Sequence, residues 1–418
     1  MERSWFLCLL SLSLLIPLTS SNANLSESKN VFDGSQPRLA QEELIRQIAD
    51  MNHFSLNLYL RLSRKPGNLF FSPYSVSETL AMTYAGARGE TERQMSQVLN
   101  FPTDRERLHL IQAGSRKQRE QYTSGGLRFS MANSVWGQRD HTFRADYIEL
   151  IQKQYGALFT AVDFRSQTEE ARQAINHWAE KETHSRTEDF IESSLLDTST
   201  ILVLADIIYF KGMWARRFPI ENTAEADFHL SSDRRVKSLL MSQLTELRNY
   251  DFNDFQAVEI PYDGHDLSLV LLLPKEIDGL ARLEAALTLD HLDDWLDKLG
   301  ESRPKLVRIT IPKLNLASRL ELSAPLADLG MPDLFQSGHA DLSGIDGSGA
   351  LFVDSVIHQA TIEIDEMGSE ASSSTAAVIK KRERITDLRA DHPFLFMILD
   401  RHTRTLLFMG RMIDPSRP

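Results

Sequence analysis

The sequence predicts an α+β fold built around antiparallel sheets. Helix-like patterns are concentrated before residue 182, whereas strand-like apolar runs dominate from residue 201 onward. This segregation favours α+β over a regular alternation of strands and helices around a parallel sheet. No internal repeat and no long Pro- or Ser-rich linker divides the 418 residues. We therefore predict one large domain, although the length alone would suggest two or three.

The individual elements follow from periodicity and from the residues that interrupt it. Within residues 41–64, apolar side chains recur at intervals of three and four, as on one face of a helix, and Pro66-Gly67 ends the pattern. Further helices are predicted at residues 73–87, 91–99, 144–155 and 169–182. Strands are predicted at residues 201–210, 267–273, 306–316, 352–364, 393–399 and 405–412.

Composition and motifs exclude several functions. With 46 Lys and Arg against 58 Asp and Glu, the net charge is −12, which argues against a nucleic-acid binder with a basic surface. The sequence has no HExxH zinc pair, no GxSxG nucleophile elbow, no GxxxxGK[ST] phosphate loop and no GxGxxG fingerprint. We predict no enzymatic activity, no metal site and no cofactor, although a triad assembled from distant residues would leave no such motif.

The N-terminus carries the pattern of a secretory signal. Residues 5–18 are almost entirely apolar but too short to span a bilayer, and small or polar residues follow as far as Ala23. We predict a signal sequence at residues 1–23, cleaved after Ala23 or two residues earlier, and a polar extension at residues 24–41. The single cysteine, Cys8, would leave with the signal. The mature protein is expected to be extracellular, without a membrane segment or a disulfide.

One connection is far longer than the others. Between the predicted strands that end at Ile364 and begin at Pro393 lie 28 residues with little apolar periodicity, a length typical of functional or disordered loops. Residues 368–377 are mostly small and include no proline, whereas residues 380–384 read KKRER and have a local charge of +3. Exposed Lys and Arg are recognised by trypsin-like proteases, although a surface loop that is cleaved incidentally has the same composition.

Several motifs run in a fixed order through most of the chain. They are NLFFSPYS (68–75), GARGET (86–91), IYFKGMW (208–214), LGMPDLF (329–335), ADLSGI (340–345), HQATIEI (358–364), DHPFLF (391–396) and FMGR (408–411). On these motifs, residues 42–415 resemble the serpins, a superfamily of serine protease inhibitors. The resemblance implies a single serpin domain with a large central antiparallel sheet, two further sheets, about nine helices and an exposed reactive-centre loop at about residues 366–392.

The resemblance also implies a function for the long loop. In serpins, the target protease cleaves this loop and forms an acyl-enzyme, after which the freed segment inserts into the central sheet and distorts the protease. Two counts from family landmarks, 14 residues after Gly368 and 11 residues before Pro393, both place the cleaved bond at Arg382-Glu383. An arginine at this position is recognised by the carboxylate at the base of a trypsin-like specificity pocket.

Neighbouring residues modify the predicted specificity. Lys380 and Lys381 extend the basic character upstream, and Glu383 on the leaving side is expected to disfavour many proteases. A shifted register would make Arg384 or Lys381 the cleaved residue instead. We predict a secreted inhibitor of trypsin-like serine endopeptidases that acts in an extracellular protease cascade, such as clotting-like or immune signalling.

Loop insertion requires one face of the loop to be small and uncharged, because a strand in the middle of a sheet buries alternate side chains. Counted from the flexible pivot Gly368, this face consists of Ser369, Ala371, Ser373, Thr375 and Ala377. Glu370 falls on the opposite face. The pattern favours an active inhibitor over the alternative, a non-inhibitory serpin that serves as a binding or carrier protein or as a chaperone.

The resemblance assigns a polar cluster that controls opening of the central sheet. Its members are Ser72, Ser75, Asp206 and His358, and Asp206 stands where the family usually has Asn. An acid beside His358 is expected to favour the charged imidazole and to make sheet opening pH-sensitive. The alternative is an isosteric replacement without consequence.

At the top of the sheet, where insertion begins, Trp214 matches a family aromatic residue. Lys313 and Glu366 match a family ion pair beside the hinge, so their side chains are expected to be in contact.

Basic residues also cluster where some serpins bind heparin. They are Arg105, Arg107, Arg116, Lys117 and Arg119, which Asp104, Glu106 and Glu120 dilute to a net charge of +2. A site for a heparin-like glycosaminoglycan is one interpretation, and an ordinary solvated helix is the other. The only Asn-x-Ser/Thr glycosylation sequence begins at Asn24, at the predicted new N-terminus.

Overall fold

The computed structural model of the protein describes residues 38–102, 104–120, 128–182, 189–366 and 385–417. These residues lie within one unit that spans residues 37–418. The predicted signal sequence, Asn24 and residues 367–384 of the reactive-centre loop lie outside the described residues, so the interpretations that rest on them remain predictions. In the part of the chain that is described, no helix is long and apolar enough to cross a membrane.

The described residues contain ten α-helices, close to the expected number. They are α1 (Arg38–Leu62), α2 (Pro73–Gly86), α3 (Gly89–Leu99), α4 (Arg105–Glu120), α5 (Ala145–Leu150), α6 (Thr168–Glu182), α7 (Leu280–Ala285), α8 (Leu289–Glu301), α9 (Ser323–Asp328) and α10 (Ser343–Asp346). Because α1 begins at Arg38, the end of the predicted polar extension is helical. The helix predicted at residues 144–155 is α5 followed by a π-helical turn at Ile151–Tyr155.

The same residues contain fourteen strands. They are β1 (Leu69–Phe71), β2 (Arg128–Gln138), β3 (Leu158–Val162), β4 (Leu202–Lys211), β5 (Ala224–Ser231), β6 (Arg234–Asp251), β7 (Phe255–Pro261), β8 (Leu267–Pro274), β9 (Lys305–Pro312), β10 (Leu314–Glu321), β11 (Val356–Ile364), β12 (Thr386–Arg389), β13 (Phe394–Asp400) and β14 (Leu406–Met412). The run predicted as one strand at residues 306–316 is divided between β9 and β10, which belong to different sheets.

Nine of the strands form one hydrogen-bonded sheet in the order β1-β14-β13-β8-β7-β6-β9-β12, with β5 paired to β6. The 18-residue strand β6 explains why the two further sheets expected from the resemblance are joined. Its first part pairs with β5 and β9, and its last four residues, from Arg248 onward, pair with β7.

The other five strands form the central sheet, in the order β10-β11-β4-β2-β3. The expectation of an antiparallel sheet is met by the pairs β10–β11 and β4–β2. The pairs β11–β4 and β2–β3 are parallel, so this sheet is mixed.

Helix α2 packs against β4 of the central sheet and β14 of the nine-stranded sheet. Its start is fixed by Ser72, whose hydroxyl accepts a hydrogen bond from the Ser75 N–H at 3.1 Å, and by Pro73, whose fixed φ suits the first helical turn. Nearly all of its residues are buried, as expected for a helix that is apolar or small on every side. Helix α6 packs on the opposite face of the central sheet, where Ile175 and Ala179 join an apolar cluster with side chains of β2 and β4.

Candidate functional site

The centre of the five-stranded sheet is the parallel pair β4–β11, which we call the seam. Its register runs from Leu204 opposite Val356 to Lys211 opposite Glu363. The chain leaves β11 at Ile364, and the predicted reactive-centre loop follows at once. A strand that runs back from this point between β4 and β11 would be antiparallel to both of them. The seam is therefore the place in the sheet where a returning segment finds two matching edges.

Four of the predicted site residues meet beneath the middle of the seam. Asp206 and His358 are direct neighbours in the β4–β11 register, and their side chains approach to 2.6 Å between Oδ2 and Nδ1. The Ser75 hydroxyl donates a hydrogen bond to the other carboxylate oxygen of Asp206. The Ser72 hydroxyl donates to the Leu407 carbonyl of β14 at 2.7 Å. The cluster thus links both strands of the seam to α2 and to the second sheet.

The two ring nitrogens of His358 have different hydrogen-bond partners. Its Nε2 accepts a hydrogen bond from the Ser72 backbone N–H at 3.0 Å, so this nitrogen carries no proton. The proton is on Nδ1 and is donated to Asp206. A second proton, on Nε2, would face the Ser72 N–H and remove this hydrogen bond. A pH effect on opening stays a prediction, with loss of this acceptor as its physical cause.

A second buried polar group next to this cluster was not expected from the sequence. Glu78 of α2 is fully buried, and it accepts hydrogen bonds from the Tyr74 hydroxyl and, at 3.2 Å, from Asn133 Nδ2. Asn133 of β2 also accepts a hydrogen bond from the Thr79 hydroxyl at 3.0 Å. Since Asn133 stands opposite Asp206 in the β2–β4 register, this group extends the polar contacts from the seam to β2.

At the top of the seam, Trp214 is buried and stacks on Tyr262, with ring centroids 4.7 Å apart. Its indole N–H donates to the carbonyl of Asp365 at 2.9 Å, just beyond the end of β11. The aromatic residue expected at this end of the sheet is therefore in contact with the start of the reactive-centre loop.

The ion pair expected beside the hinge is present. Lys313 Nζ lies 2.6 Å from Glu366 Oε2, and the Thr223 hydroxyl donates to Glu366 Oε1 at 2.7 Å. A neighbouring pair joins Lys211 of β4 to Glu363 of β11 at 2.9 Å. Burial raises the pKa of the Glu366 carboxyl, but the hydrogen bonds from Lys313 and Thr223 bring this pKa below its ordinary value of 4.5. Glu366, the last described residue before residue 385, is thus held in place by Lys313 and Thr223.

The pKa of Glu366 leads to a prediction about acid stability. Because its pKa is lower in the folded than in the unfolded protein, its contribution to stability is present above pH 4.5 and is lost as the pH falls through the folded-state pKa. Glu366→Gln is expected to lower the thermal midpoint at neutral pH and to flatten its decline below pH 4.5. Thermal unfolding between pH 7 and pH 3 measures this, with Glu149→Gln at an exposed position as the control. Parallel curves for wild type and Glu366→Gln would contradict it.

Most of the other predicted site residues lie outside the described part of the chain. Residues Gly368, Ser369, Glu370, Ala371, Thr375, Lys380, Lys381, Arg382, Glu383 and Arg384 lie outside the described residues. Arg105 of the proposed glycosaminoglycan site is held by the protein itself, because its Nε lies 3.0 Å from Glu92 Oε1 and its guanidinium lies over the Tyr84 ring. In the described ranges, no group of three or more His, Cys, Asp or Glu side chains is arranged to hold a metal ion.

Comparison with known proteins gives matches over both sheets. The family model described as serpin (serine protease inhibitor) matches residues 49–415. Leukocyte elastase inhibitor from Xenopus laevis is 36% identical over 373 residues, which are 87% of this chain and 98% of that protein. The protein of the same name from Homo sapiens is 34% identical over 388 residues, which are 89% of this chain and 100% of that protein.

Solved structures also match over most of the chain. Uncleaved ovalbumin has a TM-score of 0.81 at 26% identity, covering 88% of this chain and 99% of that chain. An Arabidopsis serpin in its native stressed conformation has a TM-score of 0.81 at 28% identity, covering 90% of this chain and 99% of that chain.

Proposed function

This chain belongs to the serpin family, and from that premise we propose that it is a suicide-substrate inhibitor of trypsin-like serine endopeptidases. The family is described as serine protease inhibitors, so in this proposal the chemistry of the reaction is carried out by the target. The proposed target cleaves Arg382-Glu383 and is trapped as a covalent acyl-enzyme when the freed loop inserts at the seam.

The parallel pairing at the seam is the observation that carries the proposal. A strand entering there replaces one parallel ladder with two antiparallel ones, which are slightly more stable per residue. Before cleavage the loop is held at both ends, by Glu366 at the top of the seam and by β12, which pairs with β9 in the other sheet. Cleavage releases one end, so the insertion that was blocked becomes favourable.

The proposed chemistry follows the reaction of a serine protease as far as the acyl-enzyme. The protease serine attacks the Arg382 carbonyl, the bond to Glu383 breaks, and the new amine leaves with the proton that the protease base took from the serine. The ester that joins Arg382 to the protease then awaits water. Insertion carries the attached protease along the sheet and displaces its catalytic groups, whose function depends on placement to about 1 Å. Hydrolysis therefore stops at the ester.

The choice of a trypsin-like target rests on the sequence of the loop. The relatives compared above are named as inhibitors of leukocyte elastase. In this chain, residues 380–384 include four Lys or Arg and one Glu, and the cleaved position derived from two family landmarks is an Arg. An arginine guanidinium is matched by the carboxylate of a trypsin-like pocket and not by an apolar one.

The test is to mix the purified protein with trypsin, and separately with leukocyte elastase, and to separate the products on a denaturing gel. A stable band of the summed mass with trypsin supports trapping. Clean cleavage with trypsin still active would overturn inhibition and favour the binding or carrier role, and a complex only with elastase would overturn the target class. The mass of the released peptide, expected to begin at Glu383, identifies the bond.

Two matched variants decide the register of cleavage. Arg382→Gln is expected to lose at least a hundredfold in the rate of complex formation with trypsin, because about 3 kcal/mol of charge-assisted recognition is removed from the cleaved residue. Arg384→Gln removes the same charge two residues away and is expected to trap trypsin nearly as wild type does. The opposite result would place the cleaved bond after Arg384.

Secretion and the role in an extracellular protease cascade belong to the same proposal. They are supported by the apolar segment at residues 5–18 and the small residues that follow it. Expression of the full chain in eukaryotic cells, followed by N-terminal sequencing of protein in the medium, tests secretion. A start at Asn24 or two residues earlier is expected, and retention of the uncleaved chain inside the cells would contradict the proposal.

A further inference from the structure

A short linker, residues 189–192, crosses the outer face of the central sheet. Phe190 and Ile191 are fully buried there. They belong to one apolar cluster with side chains of β4, including Ala205, and with Ile357 of β11. The linker therefore shares an apolar layer with both strands of the seam.

Ile191, inside the linker, is tied to α6. The Ile191 N–H donates to Asn176 Oδ1 at 2.7 Å, and the Ile191 carbonyl accepts hydrogen bonds from Asn176 Nδ2 at 3.2 Å and from Arg172 Nη1 at 2.9 Å. Since α6 packs on side chains of β2 and β4, this anchor belongs to the β4 half of the sheet.

The residues on either side of Ile191 are tied to β10 by Arg319. Its Nε donates to the Phe190 carbonyl at 2.7 Å, and its Nη1 lies 2.6 Å from Glu192 Oε1. Arg319 stands opposite Gln359 in the β10–β11 register, so this anchor belongs to the β11 half. The Arg319 side chain is 29% exposed and that of Glu192 is 60% exposed, so the hydrogen bond to the carbonyl of the buried Phe190 is the better shielded of the two contacts.

Opening of the seam pulls on both anchors. Entry of one strand separates β11 from β4 by one additional strand spacing, about 4.8 Å. A hydrogen bond of 2.7 Å does not survive such a displacement. Because the linker is bound to both halves of the sheet, one of its anchors has to break as the seam opens.

We propose that Arg319 sets the rate at which the seam opens, by holding the linker to β10. The inference rests on the proposed function, because opening is used only if the loop inserts. After acylation, insertion competes with attack of water on the ester. A slower opening therefore leaves more of the protease to be released, and Arg319 adjusts the fraction that is trapped while it keeps the uncleaved sheet closed.

The experiment supplies the inserting strand as a separate molecule. A 14-residue peptide with the sequence of residues 368–381 is mixed with the uncleaved full-length protein. Uptake is followed by native gel mobility and by the rise in thermal midpoint. Arg319→Ala is expected to take up the peptide roughly tenfold faster than wild type, because a charge-assisted hydrogen bond and an ion pair no longer resist opening. Arg319→Lys keeps the charge and is expected to lie between the two.

Two further variants separate a specific anchor from general destabilisation. Asn176→Ala releases Ile191 of the linker from α6 and is expected to accelerate uptake as well. Arg93→Ala removes an exposed ion pair with Glu90 within α3 and is expected to match wild type. Equal uptake rates for wild type and Arg319→Ala, or equal acceleration by Arg93→Ala and Arg319→Ala, would overturn the inference.

Trapping of trypsin by the wild type is measured in parallel. A wild-type protein that takes up the peptide but traps no protease would overturn the proposed function, and the uptake rates of the variants would still decide the role of Arg319. A folded wild type that takes up no peptide would overturn the inference.

Discussion

Thr375→Arg is expected to convert the protein from an inhibitor of trypsin into a substrate. In the alternation counted from Gly368, Thr375 lies on the face that becomes buried on insertion. A guanidinium forced into that position has no partner, and burial of an unpaired charge costs several kcal/mol or more. Insertion would then stall at the middle of the seam while the ester is hydrolysed. Cleavage at Arg382 itself should continue, because residues 380–384 are unchanged; cleavage at the introduced arginine is controlled by the variant described next, which carries the same new residue.

The neighbouring position provides a matched control. Ser374→Arg introduces the same side chain one residue earlier, on the face that the alternation places opposite, and is expected to keep at least half of the covalent complex. Both variants are titrated against trypsin, and the moles of inhibitor consumed for each mole of enzyme inactivated are compared. Thr375→Arg should raise this ratio at least tenfold. Equal ratios for the two variants would mean that side chains do not alternate between buried and open faces, and would remove the support for insertion.

The local pattern of the sequence was enough to predict much of the fold. The run at residues 201–210 is apolar on both faces, and it is β4, which is buried between α2 and α6. The family motifs placed Asp206, His358 and Ser75 in one cluster, and their side chains are in contact. The predicted serpin family and fold class are confirmed by the match over residues 49–415.

Pairing between strands was harder to predict than the strands themselves. None of the first six residues of strand β6 is buried, and buried residues are interspersed with exposed ones in the remainder, which gives no apolar run, and yet the strand joins the two further sheets. The parallel pairing of β4 with β11 depends on chain segments 152 residues apart, such as Asp206 and His358. No periodicity within one segment carries that information.

Side chains with an unexpected environment were also missed. Glu78 was assigned no role, although an acid in a helix whose other residues are small or apolar is a signal of a buried polar partner. Nothing in the sequence indicated a role for Arg319, because a charged residue such as arginine is common on the edge strand of a sheet. Its role depends on a linker that only the folded chain brings across the sheet.

The second large effect is expected at Asp206. Asp206→Ala removes the acceptor of two buried donors, the Nδ1–H of His358 and the hydroxyl of Ser75, both in side chains that are 0% exposed. Each buried donor without an acceptor costs roughly 1–3 kcal/mol. The cost falls on the closed sheet, in which α2 and the two strands of the seam are held together by this carboxylate. We therefore expect a lower free energy of unfolding and also faster uptake of the 14-residue loop peptide.

Asp206→Asn separates the hydrogen bonds from the charge. Its side-chain oxygen still accepts from His358, and the Ser75 hydroxyl can rotate to accept a hydrogen bond from the amide, so its free energy of unfolding at neutral pH is expected to stay within about 1 kcal/mol of wild type. Urea unfolding of wild type and both variants measures the difference. A loss of stability in Asp206→Asn as large as in Asp206→Ala would show that the negative charge, and not the pair of acceptors, holds the seam closed. If the hydrogen-bond acceptors hold the seam closed, Asp206 and an Asn at the same position give the closed sheet the same stability at neutral pH.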